Sequence, residues 1–585
     1  MNGVVLLLIA IACFVVAYFG YSKWLEKKWG IDPQAVTPAY RFKDGQDYMP
    51  EPAFMVFSHQ FSSITGAGPV TGPIIAAMFG WLPAFLWIVF GGIFFGAVHD
   101  FGAMYASVKN EGKSIGLIIE KYIGKTGKKL FLLFSWLFSL LVIAAFGDIV
   151  ANTFNGKTIG VADTVNTANA SAASISMIFI LTAIIFGFLI KRMNLSGKAA
   201  HVVGVVLLFG TLALGMAFPL FASKQVWLLV VFGYLFLASV MPMWLLMAPR
   251  DFLSTYMLLG MIIAAVLGLI VERPDMNLNM FNGFVIEDAA GNLTYLFPIL
   301  FITVACGAVS GFHSLVSSGT SSKQIKNEKH IRPVSFGAMM CECVLAVAAL
   351  VVAGAAAKNG QLPEGTPFQI FSSSVAGFLT SFGLPVMVAQ SFMTMCVSAL
   401  ALTSLDSVAR IGRMSLQELV SDGEAKPSGI AGWLSNKYVA TILTLGVGFA
   451  LAQGGYNSVW PLFGSANQLL AAMVMIAIAV YLKTSKKSGV MFYIPMVVML
   501  TVTFTALSMS IYKLFIKLIS ANEFLLFVPK EISAGQFVLL SDGLQLIFAF
   551  CLLGLGFMVA VRCLRTLIQP LSEKVEQKMP VYDEK

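Results

Sequence analysis

Charge is what this chain has least of. Charged residues fill 11% of its 585 positions, where a soluble globular protein has about a quarter. Hydrophobic residues fill 58%, and the mean hydropathy is +0.83. These values exclude a soluble domain and point to a polytopic membrane protein. Cysteine is sparse and scattered. Cys13, Cys306, Cys396, Cys551 and Cys563 stand alone in apolar runs, and Cys341 and Cys343 point to different faces of a helix. No zinc spacing is present. There is no H-E-x-x-H, no G-x-S-x-G and no Asp-rich pair, so an integral-membrane enzyme, kept as an alternative, has no visible catalytic group. A channel would need charged or carbonyl-lined filter repeats, which are missing. No linker separates soluble domains. The first 22 residues lack Lys and Arg, so the basic region of a signal peptide is absent and they read as a retained span.

What the chain does have is apolar stretches long enough to cross a bilayer. There are about fifteen: 2–21, 52–79, 82–107, 130–153, 173–190, 200–220, 226–247, 252–271, 294–318, 333–357, 380–406, 438–452, 458–482, 489–512 and 537–561. Between them, 31–40 reads as a turn-rich loop, 358–379 as a polar stretch, and the tail from Leu571 as frayed. The formal charge is +9. With the N-terminus outside and sides alternating, all but seven of the 38 basic residues (Lys157, Lys224, Arg273, Lys358, Lys513, Lys517 and Lys530) fall inside. Positive charge gathers in cytoplasmic loops. It therefore belongs to topology, with the C-terminus cytoplasmic. The partner it implies is the lipid bilayer, not nucleic acid.

Two of these stretches are interrupted. Gly66-Ala67-Gly68-Pro69-Val70-Thr71-Gly72-Pro73 packs three glycines and two prolines into eight residues, and both residue types break helices. In lipid a broken backbone survives only where protein buries it or where it lines a cavity. Residues 66–72 are expected to be unwound at a substrate site, with the helix restarting near Pro73. Ser63, Thr65, Gly66, Gly68, Pro69, Thr71 and Gly72 are the candidate contacts. The second interruption is Thr303-Val304-Ala305-Cys306-Gly307-Ala308-Val309-Ser310-Gly311-Phe312-His313-Ser314. Its candidates are Gly307, Ser310, Gly311 and His313, with Ser310 as N-cap of a helix restarting near Phe312. Gly307 and Gly311 also fit a small-xxx-small packing face. Free N–H groups at two such restarts suit a small anion, most naturally a carboxylate.

The interruptions lie seven crossings apart and so run in opposite directions, as an inverted repeat requires. The expected organisation is a first helix and loop (1–51), a five-helix repeat (52–221), two inserted helices (222–293), a second five-helix repeat (294–483), and two further helices with a tail (484–585). The expected fold is all-α integral membrane, with a discontinuous first helix in each repeat.

Ionisable groups at membrane depth are functional candidates. Glu342, within the tenth span, is a candidate for proton binding. Asp148, near the outer end of the fourth, and Asp406, four residues before Arg410 and spaced for a helical ion pair, are further coupling candidates. His99-Asp100 reads as interfacial. His313 sits one turn past the second interruption, where it could meet a carboxylate or relay a proton. Asn467 and Gln468 read as buried amides at the path or between helices.

Several motifs resemble the carbon starvation protein A (CstA) family. They are Asp32-Pro33 with Thr37-Pro38-Ala39, Gly66-Ala67-Gly68-Pro69 with Gly72-Pro73, and Gly96-Ala97-Val98-His99-Asp100. Others are Met241-Pro242-Met243-Trp244, Pro249-Arg250-Asp251, Ser310-Gly311-Phe312-His313, Ser317-Ser318-Gly319-Thr320, Leu405-Asp406 with Arg410, and Trp460 through Gln468. They span about residues 30–480. The resemblance implies a bacterial inner-membrane transporter of pyruvate or small peptides, in the amino acid–polyamine–cation superfamily with its LeuT-like five-plus-five inverted repeat. The chain departs from that pattern at His59-Gln60, where paired histidines are common, and at Thr65, where alanine is. In the superfamily, the third helix of the second repeat faces the first unwound segment and helps hold sodium. Thr403 and Ser404 occupy that helix. The expected function is therefore proton-driven import of a small anionic substrate or peptide, with a sodium-coupled carrier as the alternative and no cofactor beyond the coupling ion.

Overall fold

The structure, a computed structural model, describes residues 2–45, 48–158, 164–193, 198–242, 245–287, 293–421, 429–520 and 538–569. Met243, Trp244, Lys426, Lys530 and the tail from Leu571 lie outside the described residues. Among the described residues, eleven helices are long and apolar enough to cross a membrane. Shorter apolar helices cover Gly68–Phe79, Lys224–Val240 and Lys437–Ala452. The chain is not wholly helical as expected. Two small antiparallel hairpins pair Lys157–Thr158 with Thr164–Val165 and Val285–Glu287 with Leu293–Tyr295.

Ten helices organise the centre, labelled here in chain order: α1 (Ala53–Ile64), α2 (Gly68–Ala76), α3 (Trp81–Lys109), α4 (Lys125–Thr153), α5 (Met247–Glu272), α6 (Leu296–Thr303), α7 (Phe312–Gly319), α8 (Glu328–Ala356), α9 (Val386–Val420) and α10 (Tyr456–Thr484). The most apolar stretch of α10 is buried throughout. Its polar Ser465, Asn467 and Gln468 explain why, since lipid would leave them without partners. Lys198–Ala217, by contrast, is mostly uncovered by protein and carries apolar side chains such as Val202, Val206 and Phe209 outward.

The first interruption is shorter than its glycines suggest. α1 ends at Ile64, Thr65 leaves the helix at ψ 76°, and α2 resumes at Gly68. Unwinding over 66–72 is thus corrected to 65–67. Pro69 stands in the first turn of α2, where no N–H is needed, and Pro73 lies inside the helix instead of starting it. The glycines serve closeness. A Cβ on Gly68 would overlap Cys306, and one on Gly72 would lie 2.6 Å from the carbonyl oxygen of Thr303.

The second interruption is longer, spanning 304–311 between α6 and α7. Ser310 is not the N-cap; Gly311 occupies that position. The Ser310 hydroxyl instead bonds the Asn467 side chain, which reaches it from α10.

Helices also form where no span was expected. Pro38–Arg41 forms one helical turn inside the 31–40 loop, with Pro38 in its first turn. The stretch 358–379 contains a helix, Pro367–Thr380, opened by a capping box between Thr366 and Gln369.

Candidate functional site

The two interruptions lie against each other. Gly68 and Gly72 face Cys306 and Thr303, and a Cβ on Gly307 would sit 3.6 Å from Cα of Pro69. Around this seam the polar groups sort into satisfied and orphaned. The Ser404 hydroxyl donates to the Ser63 carbonyl at 3.0 Å, and Ser407 Oγ lies 3.2 Å from Ser63 Oγ. A Cβ on Gly66 would lie 2.7 Å from both Ser404 Oγ and the Phe146 ring. Thr403 donates to Ala399 of its own helix at 2.7 Å, as buried hydroxyls in helices commonly do. The hydroxyls of Thr65 and Thr71 are buried with no hydrogen-bond partner.

The two restarts differ. α2 has no side-chain cap, so its dipole end keeps the anion-suited character expected of it. At α7 the Phe312 N–H donates to Asn467 Oδ1 at 3.1 Å, and the Gly311 N–H to the Asn467 carbonyl at 3.1 Å. The donors expected to face an anion there are taken by the protein. The neighbouring Gln468 donates to the Phe301 carbonyl on α6.

Three groups of buried charge involve the candidate residues or their neighbours. His313 Nδ1 lies 2.8 Å from Asp100 Oδ2, and its Nε2 lies 3.4 Å from Glu342 Oε2. His99 joins through Asp100 Oδ1 at 2.9 Å. All four are fully buried, which corrects the interfacial reading of His99 and Asp100: α3 continues to Lys109, and α7 packs over it. In the second place, Asp406 takes Arg250 of α5 and the Tyr234 hydroxyl, not Arg410, which donates to the Met241 carbonyl. Beside it, His59 bridges Asp251 at 2.6 Å and Thr320 at 2.9 Å. In the third place, Asp148 pairs with Lys224 at 2.7 Å and accepts from Asn152 and from the Tyr456 N–H, both at 2.9 Å. It caps α10 and shares no bond with the other two groups.

A small, partly open cavity lies beside α1, α4, α7 and α9. His59, Ser318, Thr320, Ser407 and Arg410 line it. None of the candidate contacts of either interruption does. It approaches the first interruption through Ser407, whose partner is Ser63.

Comparison with known proteins follows this geometry. The family model described as "Carbon starvation protein CstA" matches residues 2–362 and 355–506. The chain belongs to the CstA family. Curated relatives include the "Peptide transporter CstA" of Mycobacterium tuberculosis, 31% identical over 86% of this chain and 75% of that one. The "Peptide transporter CstA" of Escherichia coli is 29% identical, covering 83% and 78%. The "Pyruvate/proton symporter BtsT" of E. coli is 29% identical, covering 86% and 81%. Among solved structures, an Eremococcus coleocola manganese transporter in complex with an aromatic bis-isothiourea substituted compound aligns over 90% of this chain and 99% of its own, with 11% identity and a TM-score of 0.46.

The motifs that carry the CstA resemblance are the ones that build these clusters. Gly96–Asp100 supplies two of the four buried groups and Ser310–His313 a third. Pro249–Asp251 supplies the partners of Asp406 and His59. Asp100, Arg250, Asp251 and Tyr234 were missed as site candidates. For the first three, the quoted motifs already contained the signal.

Proposed function

We propose that this chain is a secondary active transporter importing a small carboxylate such as pyruvate, or short peptides, across a bacterial inner membrane with the proton gradient. The observation that carries the reading is the seam between the two interruptions, where glycine lets α2 lie against the Thr303–Cys306 backbone. Irregular backbone at that depth needs protein or a cavity around it, and carriers place substrate at such interruptions. Membership in the CstA family supports the reading, as do the names of its relatives, which are transporters of peptides and of pyruvate with protons.

In this reading the fold is the LeuT-like five-plus-five inverted repeat within about fifteen membrane helices. Residues 52–221 and 294–483 are the two repeats, 222–293 the insertion, and 1–51 and 484–585 the additions. The N-terminus lies outside and the C-terminus in the cytoplasm, so the cavity beside His59 and Arg410 is the inner vestibule. The uncapped start of α2, with Thr65, Thr71 and Ser63, receives the carboxylate; Asn467 and Ser310 set the opposite wall. Purified protein in liposomes should accumulate labelled pyruvate or a dipeptide when the outside is acidified. No uptake of any of these under a gradient of either ion would refute the proposal.

One observation favours a second reading. Ser404 meets the carbonyl of Ser63, and hydroxyls with backbone carbonyls are hard oxygen ligands suited to sodium. In that reading Thr403 and Ser404 help hold the coupling ion. Replacing sodium by choline separates the two: a proton-driven carrier is indifferent to the exchange.

A further inference from the structure

The bonds between α3, α7 and α8 end on an orphan. Asp100 is satisfied at both oxygens, by His99 and by His313. Glu342 is satisfied at neither. Both of its oxygens are buried without a hydrogen-bond partner, as is Nε2 of His313 that faces it at 3.4 Å. Among the described residues, no lysine or arginine pairs with any of the four. Buried polar groups are nearly always bonded, and an ionised carboxylate left unpaired in the interior costs several kcal/mol. A structural ion pair would not leave its outer member in this condition, whereas a carboxyl group that gains and loses a proton would.

Of the other titratable groups on the elements packed here, Cys306 and Cys343 face the cluster. His59 pairs with Asp251, Glu120 with Lys128, and Asp406 with Arg250. The cluster is thus electrically separate from the pairs around it. It is also mechanically attached to the seam. His313 is the second residue of α7, and the same helix end is gripped by Asn467.

We infer that His99, Asp100, His313 and Glu342 form the proton-binding site of this carrier, with Glu342 holding the transported proton. The transfer involves no other reactant. The O–H bond of Glu342 breaks as an N–H bond forms at His313 Nε2, leaving a carboxylate and an imidazolium. Asp100 accepts from the Nδ1–H before and after, fixing the ring and offsetting its charge; His99 fixes Asp100. A movement of α7 changes the gap between His313 and Glu342. Proton occupancy and the position of the restarted helix are therefore coupled, and the coupling runs both ways.

The inference rests on the transport reading, and one set of experiments separates the two. A pH unit is worth about 1.36 kcal/mol, so a one-unit gradient supports about tenfold accumulation of a substrate carried with one proton. Full-length protein in liposomes is assayed for gradient-driven accumulation of pyruvate, and for exchange against internal pyruvate without a gradient. Glu342→Gln removes no hydrogen bond. It should abolish the tenfold accumulation, leave exchange running, and flatten the pH profile of exchange. Asp100→Asn should do the same, and Asp100→Glu should recover part of it. Infrared difference spectra between acid and neutral pH supply a second readout, in which a protonated-carboxyl band present in the parent should vanish in Glu342→Gln. Unchanged accumulation and an unchanged pH profile in Glu342→Gln would overturn the inference. So would persistence of the infrared band. A parent protein that carries nothing but shows the band overturns the transport reading alone.

Discussion

Asn467 accepts the N–H of Phe312 at 3.1 Å through its side-chain oxygen. An amide on one buried helix thereby caps another helix 155 residues away in the chain. Its amide nitrogen reaches Ser310 at 3.0 Å and the Cys306 sulfur at 3.5 Å. Replacing it with leucine strips all three partners inside the protein. A buried donor left unmatched costs about 1–3 kcal/mol. Asn467→Leu should lower the melting temperature of the detergent-solubilised protein and abolish uptake. Asn467→Asp keeps the acceptor but loses the donors, and should fall between.

The seam between the interruptions tolerates no side chain. Gly68→Leu would drive its new side chain into Cys306, and Gly311→Leu would strike Ala471 N and Asn467 O, each 2.5 Å from the Cβ position. Both variants should insert into the membrane, because leucine only raises the hydropathy of the spans, yet fail to transport. Membrane fractionation with uptake measured on the same vesicles tests this. Normal transport in both would mean that neither interruption lies on the pathway.

Arg250 and Asp406 are buried at 1% and 2% exposure and bonded to each other and to Tyr234. Removing one member of such a pair costs about 3–5 kcal/mol, while replacing both with apolar groups is often neutral. Arg250→Met and Asp406→Leu should each lower thermal stability sharply, and the double variant should recover most of the loss. A double variant whose loss equals the sum of the two single losses would show that the two act independently.

The Pro367–Thr380 helix begins on reciprocal bonds between Thr366 and Gln369 at 2.9 and 3.3 Å. Thr366→Ala should destabilise that helix by about 1 kcal/mol. Hydrogen exchange confined to residues 367–372 should accelerate, while the long spans keep their protection.

Hydropathy found the long helices because a bilayer demands apolar length, and length is visible in any window. It missed Pro367–Thr380 because Gln369 and three consecutive serines dilute the signal of a 14-residue element. The position of both interruptions was legible; their extent was not. Pro69 and Gly68 read as breakers, yet a proline in a first turn is welcome and a glycine facing Cys306 answers to packing. Pairing was the least legible layer. The four-residue spacing of Asp406 and Arg410 suggested a local ion pair, but a partner 156 positions away wins because α5 lies alongside α9. Asp100 read as interfacial for a related reason. Sequence gives depth along a helix, and the covering of that helix by α7 comes only from tertiary packing.

Backbone touches backbone where Gly72 meets Thr303, with no side chain between to act as a bearing. Such a joint has no room for a side chain to repack between the two segments. In the proposed carrier α2 and α6 would travel as one hub, leaving α7 and the longer helices to move about it.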